Sequence, residues 1–429
     1  MKTKLICVLT LTLLSSLTGF AQRSNSGAPV AVGSELADVT AYHEDGSEYP
    51  LKEKFKGKHA VIVFGCLTWP PFLRNISGLE AIYNDYKEKD VEFFYIYKAL
   101  AHPERDGLVQ PISLEERLKH IALAKKKYDT KMPWLVDSMD NDLKHAFGDR
   151  PNSEFIISPE GKITISRSWS TPSELRSDLE KLVGKSDSVT QPKYASPKSS
   201  PAKYPTGIVP RVPRPSGATA LVVKAAESKH PHYVKARVEA EHAVTNGSGG
   251  KLHIGFHIDP IHEVHWNNLA APLKWSIETP EGITLSTTSG EATAVEEKAD
   301  VDPREFLVDL KGSSEEPLKL TVQYFACDDN DKWCKAVTQE YAIKLVADKD
   351  GGRVSSRGGK GGKGGGKGGK GGMRDVGSMI EMMDANGDGK IAKSEARGRM
   401  ADNFSRVDTD GDGFVSKDEL KVRMAQRRR

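Results

Sequence analysis

The chain has 429 residues, 38% hydrophobic and 28% charged, which excludes disorder throughout and a multi-span membrane protein and points to two to four domains. Its 62 basic and 59 acidic residues leave a formal charge of +3, too balanced to argue for a specific nucleic-acid partner. Four cysteines exclude a disulfide-dense small scaffold.

In chain order, residues 1–21 read as a secretory signal. Lys2 and Lys4 make its positive start, Leu5 to Leu17 its apolar stretch, and Gly19, Phe20 and Ala21 its cleavage site. The expected location is secreted or periplasmic, with no transmembrane segment in the mature chain. In an oxidising compartment Cys66, Cys327 and Cys334 allow one disulfide and one leftover thiol. Residues 22–185 alternate strand and helix signals. Buried strands are expected at His59–Phe64 and Val91–Tyr97, helices at Leu79–Lys87 and Glu115–Tyr128, and a short strand at Met132–Val136. A hairpin over Glu154–Ile165 and a helix at Pro172–Val183 close an α/β layered domain.

Residues 186–216 are rich in Pro, Ser and Lys, the composition of a stiff linker. Residues 217–347 show period-two runs at Tyr233–Val238, Lys251–Ile258, Leu318–Phe325 and Glu340–Val346, an all-β sandwich signature. Residues 348–372 are expected to form a disordered Gly/Lys linker, since 13 of the 39 glycines fall between Gly351 and Gly372. Residues 373–429 are charged and helical around two short loops.

Those two loops carry the sharpest chemistry. Each follows the twelve-residue spacing in which a hard cation needing six to eight oxygens takes its ligands from positions one, three, five, seven, nine and twelve. The first offers Asp384, Asn386, Asp388, the Lys390 carbonyl and Glu395, with water expected at Ala392. The second offers Asp408, Asp410, Asp412, the Phe414 carbonyl, Ser416 and Glu419. Gly389 and Gly413 stand at position six, where the turn needs positive φ. Both loops fit the EF-hand pattern, and Ca²⁺ is the implied cofactor. Four carboxylates in the second loop against three in the first predict tighter binding there. Ile391 and Val415 are placed to pair the loops through a short β-bridge.

The first domain resembles the thioredoxin-like redoxins, and more closely the iodothyronine deiodinases and their bacterial relatives. The resemblance rests on Phe64-Gly65, Thr68, Pro70-Pro71-Phe72, Ala101-His102-Pro103, Asp106-Gly107, the run Val136 to Asn141, and Phe147 to Pro151. It implies a reactive selenocysteine or cysteine heading a helix, and a cis-proline at Pro151. Trp69 stands at the reactive position and Leu100 where the family carries an acidic residue, with His102 retained. The resemblance therefore implies a scaffold without its reaction, unless Cys66 serves as an alternative thiol or Trp69 reflects a misread selenocysteine codon.

Residues 217–347 resemble the N-terminal periplasmic domain of the thiol:disulfide interchange protein DsbD, through Cys327 to Cys334, His265 to Asn268, and Trp275 with Pro280 to Ile283. That resemblance implies an immunoglobulin-like sandwich whose cysteine pair is either structural or redox-active. Seven of the 12 histidines lie between His230 and His265. His253 and His257 share a strand face and are expected to be exposed rather than metal ligands. The lysines from Lys360 to Lys370 and the end Arg427 to Arg429 suit a plain tether or a polyanion, and an envelope protein is a further candidate partner. The main expectation is a multidomain calcium-binding protein with a deiodinase-like domain that lacks the family reaction. The alternatives are a thiol-disulfide oxidoreductase using Cys327, Cys334 and Cys66, or a deiodinase-type reductase.

Overall fold

The computed structural model describes residues 29–148, 150–193, 207–330 and 332–353, then 380, 383–384, 388–396 and 399–420. The expected signal, the repeat from residue 354 onward, Asn386 and the Arg427 to Arg429 end lie outside the described residues.

The first domain runs β1 (Thr40–Tyr42), β2 (Glu48–Pro50), α1 (Leu51–Lys54), β3 (His59–Gly65), α2 (Pro70–Tyr86) and β4 (Val91–Tyr97). It continues through α3 (Leu114–Tyr128), β5 (Trp134–Val136), α4 (Asp142–Phe147), β6 (Glu154–Ile157), β7 (Ile163–Arg167) and α5 (Pro172–Val183). Its sheet has the order β2-β1-β5-β4-β3-β6-β7. Strands β3, β4 and β5 are parallel, and β6 turns antiparallel against β3 into the hairpin with β7. This is the layered α/β arrangement of a thioredoxin-like domain. Along β3, Val61 and Val63 pack against α2, α3 and α5, while Ala60, Ile62 and Phe64 pack toward Phe55 and Phe147. Both faces of β3 are covered, which is why its sequence reads as an unbroken apolar run.

Helix α2 starts at Pro70, nine residues before the expected Leu79. Proline suits a first helical position, where its missing N–H would have no partner. Asn75, Ser77 and Gly78 are weak helix formers and hide the period of this first half. The described residues hold no cis peptide, so Pro151 is trans and that implication of the resemblance fails.

The second domain holds β8 (Thr219–Ala225), β9 (Val234–Ala240), α6 (His242–Thr245), β10 (Gly250–Ile258), a 3₁₀ turn at Pro260–His262 and β11 (Val264–Asn267). Then come β12 (Lys274–Glu278), β13 (Ile283–Leu285), β14 (Ser289–Glu291), β15 (Ala299–Asp300), β16 (Arg304–Gly312), β17 (Leu318–Asp328) and β18 (Cys334–Ala347). They form a hydrogen-bonded path β13-β16-β10-β9-β8-β18-β17-β11-β15, with β12 on β17 and β14 on β12. Strand β8 joins the two halves. Its Thr219 and Ala220 pair with β9, and its residues from Leu221 on pair with β18. Both halves enclose one core around Phe256, Trp266, Trp275 and Tyr341. The β-rich expectation holds, although β11 to β15, at two to five residues each, left too short a period to be read.

In the C-terminal unit, β19 (Ile391–Ala392), α7 (Arg399–Asp402), α8 (Phe404–Val407) and β20 (Phe414–Val415) surround a small core of Ile380, Ile391, Phe404, Val415 and Leu420. No helix among the described residues is long and apolar enough to cross a membrane.

Candidate functional site

The two C-terminal loops close on each other as expected, with Ile391 opposite Val415. Gly389 and Gly413 have φ of +83° and +85°, the left-handed turn that position six demands. Asp408, Asp410 and Asp412 bring carboxylate oxygens within 4.8 Å of one another. Asp408 accepts backbone N–H bonds from Gly411 (2.8 Å) and Gly413 (3.1 Å), so the loop's own backbone orients it. Glu419 accepts from Thr409 N (2.6 Å) and Ser416 N (2.7 Å), placing the twelfth position back across the loop. In the first loop Asp384 accepts from Gly389 N (2.7 Å) and Glu395 from Ala392 N (2.7 Å). The donors are oxygens only, which fits Ca²⁺ and not a soft metal. Lys390 spans the loops, its Nζ lying 3.1 Å from Asp412 Oδ2.

Trp69 precedes α2 as its N-cap, and its ring stacks with His102 (centroids 5.2 Å apart) and with Trp169 (5.7 Å). Cys66 is fully buried, and its sulfur accepts from Ala101 N at 3.3 Å and lies 3.5 Å from Thr68 Oγ1. Thr68 Oγ1 in turn accepts from His102 N (3.1 Å). A thiol so enclosed behaves as a small core residue. Leu100 is buried too, its backbone N–H and C=O both bound by the Gln110 side chain.

Cys327 and Cys334 are bonded across the β17–β18 hairpin, where they stand directly opposite. Cys66 is the leftover free thiol. Cys327 is a buried residue and Cys334 an exposed one. The bridge closes a short loop, so Cys334→Ser is expected to cost about 2–3 kcal/mol in urea unfolding through lost loop-closure entropy.

The two large domains meet through buried charge. Glu104 leaves the first domain at φ +69°, an unusual conformation for a side chain other than glycine. Its carboxylate accepts from Arg211 (2.7 Å) and Arg214, with His257 Nε2 at 3.7 Å. Arg211 also binds Glu305 through Nε (2.8 Å) and Nη2 (2.6 Å). Burial alone pushes the Glu104 carboxyl up, but His257, Arg214 and Arg211 outweigh it and hold it at about 2. His253 and His257, expected on an exposed face, are buried: His253 Nε2 lies 3.3 Å from the linker's Val212 O, and His257 faces Glu104 of the first domain. Beside them lies an interdomain cavity of about 840 Å³, lined among others by Leu67, Leu108, Arg211, His257, Val264 and Asp329.

Residues 350–353, expected to begin the disordered linker, form a strap across the same face. Asp350 pairs with Lys144 and with His145 (3.1 Å), and Arg237 binds the Gly351 carbonyl (2.6 Å). Arg353 N donates to Ala101 O (3.0 Å), and His102 Nδ1 donates to Arg353 O (2.8 Å). Gly352 has φ +64°, and a Cβ there would stand 2.4 Å from Leu100 O. Gly352→Ala is expected to cost about 2 kcal/mol, read as a lower thermal midpoint, because neither backbone can give way cheaply.

A family model described as EF hand matches residues 378–395 and 400–425. The C-terminal unit is an EF-hand pair. No curated protein matches the chain significantly. Among solved structures, the thioredoxin domain of a thiol-disulfide oxidoreductase from Bacteroides vulgatus is similar at 20% identity. The match covers 36% of this chain and 99% of that one, with a TM-score of 0.27. A thiol:disulfide interchange protein from Bacteroides sp. is similar at 18% identity over 37% and 93% of the two chains, TM-score 0.29. A conserved protein from Geobacillus kaustophilus is similar at 18% identity over 38% and 87%, TM-score 0.29. The fold of the first domain rests instead on its own strand order.

Proposed function

We propose that this chain is an exported calcium-binding protein, secreted or periplasmic, in which the EF-hand pair is carried by a two-domain body. The observation that carries this reading is the oxygen cage of Asp408, Asp410 and Asp412 around the Gly413 turn, paired with the first loop through Ile391 and Val415. In this reading the redoxin-fold domain is a structural or binding module. Trp69 has no nucleophilic atom at the helix start, and Cys66 is enclosed. A deiodinase-type reaction has no group here to begin it. Calorimetric titration of the full chain should show two Ca²⁺ sites, the second loop being the tighter. Absence of saturable heat up to millimolar Ca²⁺ would overturn the reading.

One observation favours a second reading, thiol-disulfide exchange at Cys327–Cys334 on a DsbD-like sandwich. Cys334 is the exposed residue of the pair, and a thiolate attacking its sulfur would form a mixed disulfide there and release Cys327 as thiolate. Dithiothreitol-dependent insulin reduction by the wild type and by Cys327→Ser separates the two readings. Background turnover in both ends this one.

A further inference from the structure

Between α3 and the turn after β10, two carboxylates and two imidazoles converge in the domain interface. Glu116 and His120 lie one helical turn apart on α3 and so share a face. Asp259 caps the 3₁₀ turn that ends at His262. Ligand atoms of Glu116, Asp259 and His262 all lie within 4.8 Å of one another.

Two imidazole nitrogens of this group are buried, one in long contact with Glu116 and the other without a hydrogen bond. One is Nε2 of His262, whose side chain is 6% exposed and which stands 3.5 Å from Glu116 Oε1. The other is Nε2 of the fully buried His120, a ring on which Asp259, Lys235 and Glu116 act electrostatically. His120 Nδ1 lies 2.8 Å from the Tyr97 hydroxyl oxygen, and the tautomer with its proton on Nδ1 is the one whose Nε2 lone pair can bind a metal. Glu116 Oε2 is engaged by Ile112 N (2.7 Å) and Lys235 Nζ (2.6 Å), which leaves Oε1 turned to the imidazole. Asp259 Oδ1 accepts from Ile261 N (3.2 Å), and Oδ2 from Lys235.

We propose that Glu116, Asp259 and His262, with His120 beside them, form an interdomain binding site for a borderline divalent transition metal such as Zn²⁺. Mixed imidazole and carboxylate donors suit that class, and the oxygen-only EF-hand loops do not compete for it. The Lys235 ammonium stands between the two carboxylates and has to swing aside on binding. The neighbouring group of Glu104, His257 and Glu305 is a poorer host, because guanidinium forks already bind both of its carboxylates. Ligands from both domains would make the metal a clasp, raising the stability of the docked pair by mass action.

The test is a Zn²⁺ titration of the full chain with Ca²⁺ saturating the EF hands, read by equilibrium dialysis and by the Zn²⁺-dependent rise in thermal midpoint. One Zn²⁺ per chain is expected at micromolar concentration. His262→Gln should weaken it about a hundredfold and His120→Gln about tenfold, while Lys235→Met strengthens it. Thermal unfolding without metal identifies any variant that fails to fold. A wild type that binds no Zn²⁺ at about 100 µM, or a folded His262→Gln that binds as the wild type does, overturns the proposal.

Discussion

Glu104→Ala is expected to destabilise the docked domains by about 3–5 kcal/mol, the cost of removing one partner from a buried ion pair. The side chain reaches from the first domain into a socket made by Arg211, Arg214 and His257, and Arg237 Nε lies 3.9 Å away. Truncation removes the carboxylate that Arg211 and Arg214 share, leaving Glu305 and Glu239 as the remaining counter-ions of that buried positive charge. The domains should then unfold separately, so that tryptophan fluorescence and far-ultraviolet dichroism no longer coincide in urea.

The same residue sets an acid limit. The folded carboxyl titrates at about 2, below its ordinary value of 4.5, so its contribution is complete above about pH 4.5 and fades as pH falls toward 2. That contribution is about 3 kcal/mol, and Glu104→Ala should lose this part of the acid dependence. One coincident transition with an unchanged acid profile in the variant would mean that Glu104 does not hold the domains together.

Glu419→Gln is expected to lower the Ca²⁺ affinity of the second loop about a hundredfold while leaving the first within about threefold. At position twelve a carboxylate supplies two oxygens and a charge, and the amide keeps one oxygen and no charge. Loss of fold is a poor rival explanation, because the amide oxygen still accepts one of the backbone bonds that Glu419 now takes from Thr409 and Ser416. Calcium also has to share Asp412 with the Lys390 ammonium, which makes the second loop sensitive to ionic strength. Calorimetry on this variant and on Glu395→Gln assigns each heat to its loop. Two unchanged affinities in Glu419→Gln would remove the twelfth ligand from the scheme.

Where the information was local, it could be read directly. The calcium loops declare themselves because six ligand positions and an obligatory glycine fall within twelve residues, and Ile391 could be paired with Val415 from their equal places in the two loops. The buried strands β3 and β4 stood out as nearly continuous apolar runs, and the helix α3 by its helical period. The odd cysteine count allowed one pair, the DsbD resemblance implied Cys327 with Cys334, and the hairpin register puts those two directly opposite.

Tertiary structure decided everything that joins the domains. Glu104 meets Arg211 across 107 residues, and His102 meets Arg353 across 251. His253 and His257 carry no local sign that the linker meets one and Glu104 of the first domain the other. Asp350 to Arg353 look like the start of a tether because glycine is permissive, yet Gly352 is the residue that lets the strap approach Leu100. Periodicity reports what a segment does with its own faces. A buried charge finds its partner only when two surfaces meet, and no spacing along the chain encodes that meeting.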